Sequence, residues 1–125
     1  MNNLIIERTQ ETPEIHFDCD SGVLRISGRA YSSNISLFYK QMKEWLDEYL
    51  KSPQEITIVD LQLDYYNSVF IKLMFYFLEK CKEVVEKDKK LVIKWRCQED
   101  DDESIDDASR ISKIVNLPFE IVTFD

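Results

Sequence analysis

An α/β fold with a mainly parallel sheet entered through an antiparallel hairpin, in the order ββαβαβαβ with three helices, is the class that this chain predicts. Three observations predict it. Near the N-terminus, two short segments alternate apolar and polar residues on either side of a turn-forming tetrad. Further on, three segments carry apolar residues at helical spacing. Runs rich in β-branched residues separate those helices, and strands that alternate with helices pair in parallel. The 125 residues, read as one domain over 1–125, suffice for one sizeable core, since folding would hide about two-thirds of the extended surface.

Residues 14–18 (EIHFD) and 23–29 (VLRISGR) form the hairpin around Cys19-Asp20-Ser21-Gly22. From the capping pair Ser33-Asn34, the spacing of Ile35, Phe38, Tyr39, Met42, Trp45, Leu46, Tyr49 and Leu50 predicts an amphipathic helix that stops near Ser52-Pro53. Residues 55–66 (EITIVDLQLDYY) read as a central strand, with a phase slip near Val59 that fits a bulge or burial on both faces. After Asn67-Ser68 the apolar residues from Phe70 to Val85 cover most of a helix circumference, so this second helix should be largely buried. A charged connection, residues 87–90, leads to the strand at 91–96 (LVIKWR). Ile105, Ala108, Ile111 and Val115 predict a third helix ending near Asn116, and 119–124 (FEIVTF) reads as the last strand.

Charge and composition narrow the function. With 16 basic against 24 acidic residues the net charge is −8, which opposes binding to nucleic acid or to an anionic membrane. Only Gly22 and Gly28 are glycines, so phosphate-cradling loops of the P-loop or dinucleotide type are excluded. Cys19, Cys81 and Cys97 form no CxxC pair, and His16 alone cannot complete a zinc quartet, so no metal site or other cofactor is expected. The cysteines fit a reduced, cytoplasmic chain, and the N-terminus has neither the cationic head nor the apolar run of a signal peptide. The longest strongly apolar stretch, residues 69–78, contains Lys72 and is about half a membrane span. No catalytic constellation emerges: His16 has no partner nucleophile, and Asp60 and Asp64 stand about 13 Å apart on one strand face, too far for an acid/base dyad.

In sheets of this type ligands and partners gather at the carboxyl ends of the strands. The most loaded end is Asp64-Tyr65-Tyr66-Asn67-Ser68. A hydroxyl where a helix begins caps orphan N–H groups, or accepts a phosphate that the helix dipole and those N–H groups can hold. Strand alternation and the 100° helical step cannot bury all of Tyr65, Tyr66, Val69 and Phe70, so at least one of each pair should face out beside Ser68. Residues 99–107 hold seven acids in nine positions. Asp100-x-x-Glu103 fits a capping box, and the surplus around Glu99, Asp100, Asp101, Asp102 and Glu103 makes a solvated loop or an acidic patch for a basic partner. Two functions follow: a phosphorylation switch at Ser68, or a constitutive interaction module that binds through the acidic segment, with Ser68 only a cap.

The run Thr12-Pro13-Glu14-Ile15-His16-Phe17-Asp18, then Gly22-Val23-Leu24-Arg25-Ile26-Ser27-Gly28-Arg29, Tyr31, Asn34, Phe38-Tyr39 and Trp45-Leu46 resembles the SiaC-type regulatory phosphoproteins of bacteria. Leu63-Asp64-Tyr65-Tyr66-Asn67-Ser68, Ile71-Lys72, Ile93-Lys94-Trp95, the acidic run and Leu117-Pro118-Phe119 extend the resemblance across nearly the whole chain. It implies a fold like the anti-sigma-factor antagonists (STAS-like domains) and a non-catalytic switch. It also implies a Ser/Thr kinase of the anti-sigma type and a PP2C-type phosphatase as partners, and an unmodified form that activates a diguanylate cyclase. The family's Asn-Thr-Ser-Ser pattern falls on Asn67-Ser68-Val69-Phe70, which puts the phosphoacceptor at Ser68 with serine in place of threonine. Asp64, Tyr65, Tyr66, Asn67, Val69, Phe70 and Lys72 then make up the expected partner-binding surface.

Overall fold

The computed structural model describes residues 1–125. In chain order the elements are β1 (Leu4–Ile6), β2 (Glu14–Asp18), β3 (Val23–Ala30), α1 (Ile35–Tyr49), β4 (Ile56–Tyr66), α2 (Ser68–Cys81), α3 (Glu83–Glu86), β5 (Lys90–Gln98), α4 (Asp102–Val115) and β6 (Phe119–Phe124). The six strands lie in one sheet in the order β1-β2-β3-β4-β5-β6. β1, β2 and β3 pair antiparallel, and the pairings from β3 through β6 are parallel. The expected mixed α/β sheet with its N-terminal hairpin is therefore present, with one strand more than the periodicity predicts. β1 has only three residues, too few to show an alternation, and it exists because Leu4, Ile5 and Ile6 find partners in Phe17, His16 and Ile15.

Side chains of alternate parity separate the two sheet faces. Leu24, Ile26, Val59, Leu61, Ile93 and Trp95 turn to one face and join Met42, Leu46, Met74, Phe77, Ala108 and Ile111 of the helices in a single cluster of 27 buried residues. The other face has no helical cover and presents His16, Arg25, Gln62 and Asp64. The hairpin turn closes on Gly22 at φ +77°, where a Cβ would come within 2.5 Å of the Ile56 carbonyl oxygen. Only glycine fits there.

Two expectations are corrected and one is settled between its alternatives. The phase slip near Val59 is burial on both faces and not a bulge: Val59, Asp60 and Leu61 are buried in succession, while the pairing with β3 and β5 runs through them without a shift. The bulge comes later. Gly28 pairs with Leu63 and Arg29 with Tyr65, so Asp64 is the extra residue. Secondly, the second helix ends at Cys81, and Val84 and Val85 belong to the separate turn α3, which points Val84 into the core and Val85 outward. Thirdly, the capping differs from the expectation in its bonds at α1 and in its residue at α4. Asn34 stands at the N-cap of α1 without a side-chain capping bond, while Ser32 Oγ accepts from the Asn34 N–H at 3.1 Å. For α4 the cap is Asp101, which accepts from the Ser104 N–H at 3.1 Å, and not the Asp100/Glu103 box.

Candidate functional site

The bulge at Asp64 decides which side chains the end of β4 presents. An extra residue flips the alternation, so Asp64 and Tyr65 are both exposed and Tyr66 turns toward the helical layer. Tyr65 packs edge-on against Tyr31 with ring centroids 5.3 Å apart, and the Arg29 guanidinium lies 5.2 Å from the Tyr31 ring centre. Tyr66 is half-buried against Trp95 and donates its phenol to Asp107 Oδ2 at 2.5 Å. Burial and then the Asp107 carboxylate push the Tyr66 pKa well above the ordinary tyrosine value.

Asn67 ends the strand and starts the helix. Its extended backbone (φ −103°, ψ 175°) lets the side chain turn back, and Oδ1 accepts from the Phe70 N–H at 2.9 Å. Asn67 N–H in turn donates to the Ala30 carbonyl at 3.2 Å, which fixes the helix start to the end of β3. Ser68 is the first helical residue, exposed, and its hydroxyl makes no hydrogen bond within the protein. The reading of Ser68 as a mere cap is therefore corrected: asparagine, one of the best capping residues, already occupies that role. The first turn of α2 contains no acidic side chain, so its free N–H groups and the positive end of the dipole meet no competing charge from their own helix.

Of the residues expected around Ser68, the structure brings Asp64, Tyr65, Val69 and Lys72 to the surface. Val69 is 50% exposed and Phe70 is 1% exposed. Phe70 is thus corrected from the surface to the core, because the 100° step from Val69 carries it under the helix. Asn67 and Tyr66 are half-buried, their polar ends engaged as described.

The acidic segment lies beside this strand end. A cleft of about 150 Å³ is lined by Leu63, Asp64, Tyr65 and Tyr66 on one side and by Asp101, Glu103 and Ser104 on the other. Glu99, Asp100, Asp101, Asp102 and Glu103 are exposed. The serine and the acids, remote in sequence, share one end of the sheet. No group of three or more His, Cys, Asp or Glu side chains is placed to hold a metal ion. Cys81 and Cys97 lie in the core, where burial pushes both thiols above their ordinary pKa. No helix is long and apolar enough to cross a membrane.

One grouping escapes the linear reading. Asp60 on β4, 4% exposed, receives Arg96 Nε of β5 at 2.7 Å on Oδ1 and Arg25 Nη2 of β3 at 3.2 Å on Oδ2. Burial acts to raise the Asp60 pKa, but the hydrogen bond and charge of Arg96, then those of Arg25, outweigh it and hold the carboxyl below its usual range. The signal was present as a charge of each sign on the polar parity of three strands, but the register that aligns them was not.

Comparison with known proteins places this arrangement. An uncharacterized protein of Pseudomonas aeruginosa (strain UCBPP-PA14) is 27% identical over 125 residues, covering 100% of this chain and 99% of that protein. The crystal structure of apo-SiaC from Pseudomonas aeruginosa is similar with a TM-score of 0.87 at 28% identity, over 98% of this chain and 100% of that one. A further similar structure is that of the diguanylate cyclase SiaD in complex with its activator SiaC from Pseudomonas aeruginosa. It matches with a TM-score of 0.89 at 26% identity, covering 97% of this chain and 99% of that one. The family described as SiaC family regulatory phosphoprotein matches residues 6–124. Matched over residues 6–124, the chain belongs to the SiaC family of regulatory phosphoproteins, whose role is regulatory and not catalytic.

Proposed function

We propose that this chain is a cytoplasmic partner-switching protein controlled at Ser68. In its unmodified form it docks a diguanylate cyclase with the surface formed by Asp64, Tyr65, Tyr66, Asn67, Val69 and Lys72. A Ser/Thr kinase of the anti-sigma type adds phosphate to Ser68, and a PP2C-type phosphatase removes it. The observation that carries the reading is the free, exposed Ser68 hydroxyl next to a helix start capped by another residue. A phosphate there brings about −1.5 to −2 charges, and the helix N-terminus can hold it without unfolding. The fold would stay while docking is lost, because the patch beside Val69 would have to bury an unpaired dianion. The similarity to SiaC, a protein solved in complex with a diguanylate cyclase, supports that class of target.

The test pairs two variants. Ser68→Asp is expected to keep the unfolding temperature of the parent and to bind and activate the cyclase at least tenfold less well, whereas Ser68→Ala binds but takes up no phosphate from the kinase. Phosphate incorporation into Ser68→Ala equal to the parent removes Ser68 from the scheme.

The second reading, a constitutive module that binds through Glu99 to Glu103, is favoured only by the cleft that joins Asp101 and Glu103 to the end of β4. Neutralising those acids separates the two. The switch predicts a modest loss, and the constitutive module predicts complete loss with no effect of Ser68 changes.

A further inference from the structure

The uncovered sheet face carries a groove of about 500 Å³ with no hydrophobic residue in its lining, formed by Arg8, Arg25 and Arg96 together with Glu14, Gln62 and Asp64 over a floor that includes Gly28. It lies on the opposite face of the sheet from the helical layer, and of its lining only Asp64 is shared with the docking surface proposed around Ser68. Its basic groups are held in place. Arg25 and Arg96 are anchored through Asp60, whose side chain is 5% exposed, while their own side chains remain 55% and 31% exposed. Each gives Asp60 one nitrogen and hydrogen-bonds no other protein acceptor. A guanidinium has five N–H donors, so most of those on both side chains are left for an outside acceptor. Arg8 joins them from the segment after β1, donating to Ser27 Oγ at 3.2 Å and lying over Gly28, with Glu14 at 3.6 Å as its counter-ion.

Within the triad Asp60 balances one of its two guanidinium groups, and over the whole groove Glu14 and Asp64 balance the others. The groove is therefore marked by the unused N–H donors of Arg25 and Arg96 and not by a net positive charge, and a buried pair that served stability alone could be replaced by apolar residues at little cost. Planar, preorganised guanidinium groups are suited to phosphoryl oxygens, which they engage in pairs. Glu14 and Asp64 at the rim act in the other direction. They repel an extended polyanion and accept from N–H or O–H groups carried by a small ligand.

We propose that this groove binds a small phosphate monoester of nucleoside-monophosphate size, with its phosphoryl group among Arg8, Arg25 and Arg96 and its hydrogen-bond donors met by Glu14 and Asp64. The volume is within the range of pockets that hold such molecules.

Titration of the full chain with AMP and with GMP, followed by the Nε–Hε resonances of its arginines, tests the assignment, with inorganic phosphate, the two nucleosides and glutamate as parallel probes. At least one nucleotide is expected to shift the Arg25 and Arg96 signals with a submillimolar Kd. Inorganic phosphate should shift the same signals about tenfold more weakly, as it lacks the donors, and the nucleosides should not shift them. Arg8→Gln, which removes an exposed side chain, should weaken nucleotide binding by about tenfold and leave the unfolding temperature unchanged. The assignment is overturned by nucleotides that leave these signals unmoved at millimolar concentration, by equal affinity of phosphate and nucleotide, by tighter binding of glutamate, or by an Arg8→Gln variant that binds like the parent. Ser68→Ala should bind the nucleotide as the parent does, so the outcome is independent of the switch.

Discussion

The phenol of Tyr66 donates a 2.5 Å hydrogen bond to Asp107 Oδ2, and Asp107 Oδ1 accepts from Arg110 on the same helix at 2.6 Å. The strand end that leads into Ser68 is thereby tied to the helix that carries the acidic run. Removing the bond by Tyr66→Phe should cost about 1 kcal/mol, read as a shift in urea midpoint at unchanged slope. The pH dependence has a definite sign. Since the folded Tyr66 pKa lies above the unfolded one, its contribution is complete below about pH 10 and is lost as the pH rises toward the folded value. Alkaline urea titrations should show that loss in the parent and a flatter limb in Tyr66→Phe.

Asp60 gives the opposite limb. Its folded pKa is held below the unfolded value, so its contribution is present above about pH 4 and disappears as the pH falls through the lower folded value. Asp60→Asn should cost about 1–3 kcal/mol at neutral pH, because the two arginines keep contact with water, and should flatten the acid limb of stability. Thermal unfolding between pH 2 and 7 distinguishes the two proteins. An acid limb of equal depth in the variant would assign it to other carboxylates.

The division of labour between Asn67 and Ser68 is measurable in the absence of any partner. Asn67→Ala removes the side chain that accepts from the Phe70 N–H and should cost about 1 kcal/mol. Ser68→Ala removes a hydroxyl with no partner and should stay within about 0.5 kcal/mol of the parent. Chemical denaturation of both variants checks this, and a larger loss for Ser68→Ala would return the capping role to serine.

Neighbouring residues in the first turn of α2 should separate stability from docking. Phe70→Ala opens a cavity in the core and should cost about 3–5 kcal/mol. Val69→Ala should leave stability nearly unchanged and weaken binding to the cyclase by about tenfold, the scale of one well-placed apolar contact at an interface. Calorimetric unfolding and binding titrations on the same samples decide between them.

Much of the fold was legible because its period is long enough to read. Eight apolar positions between Ile35 and Leu50 repeat at helical spacing, and they bury one face of α1. β1 was illegible for the converse reason, its three residues carrying no period of their own. The position of Ser68 at the helix start was readable from the end of the strand and the asparagine before it. That Asn67 and not Ser68 caps the helix was not, since both residues are good caps and only the backbone angles at their junction choose between them.

Periodicity and charge by themselves determined the order of the longer elements, the buried face of α1 and the place of Ser68 at the start of α2. Those properties arise within short stretches of chain, where neighbours are set by covalent spacing. Only the tertiary structure decided that a bulge at Asp64 turns Tyr65 outward and Tyr66 inward, that the acids of α4 stand beside that strand end, and that Arg25 and Arg96 converge on Asp60. Each of these depends on register between strands or on the docking of a helix, and a shift of one residue in pairing would send every side chain concerned to the other face.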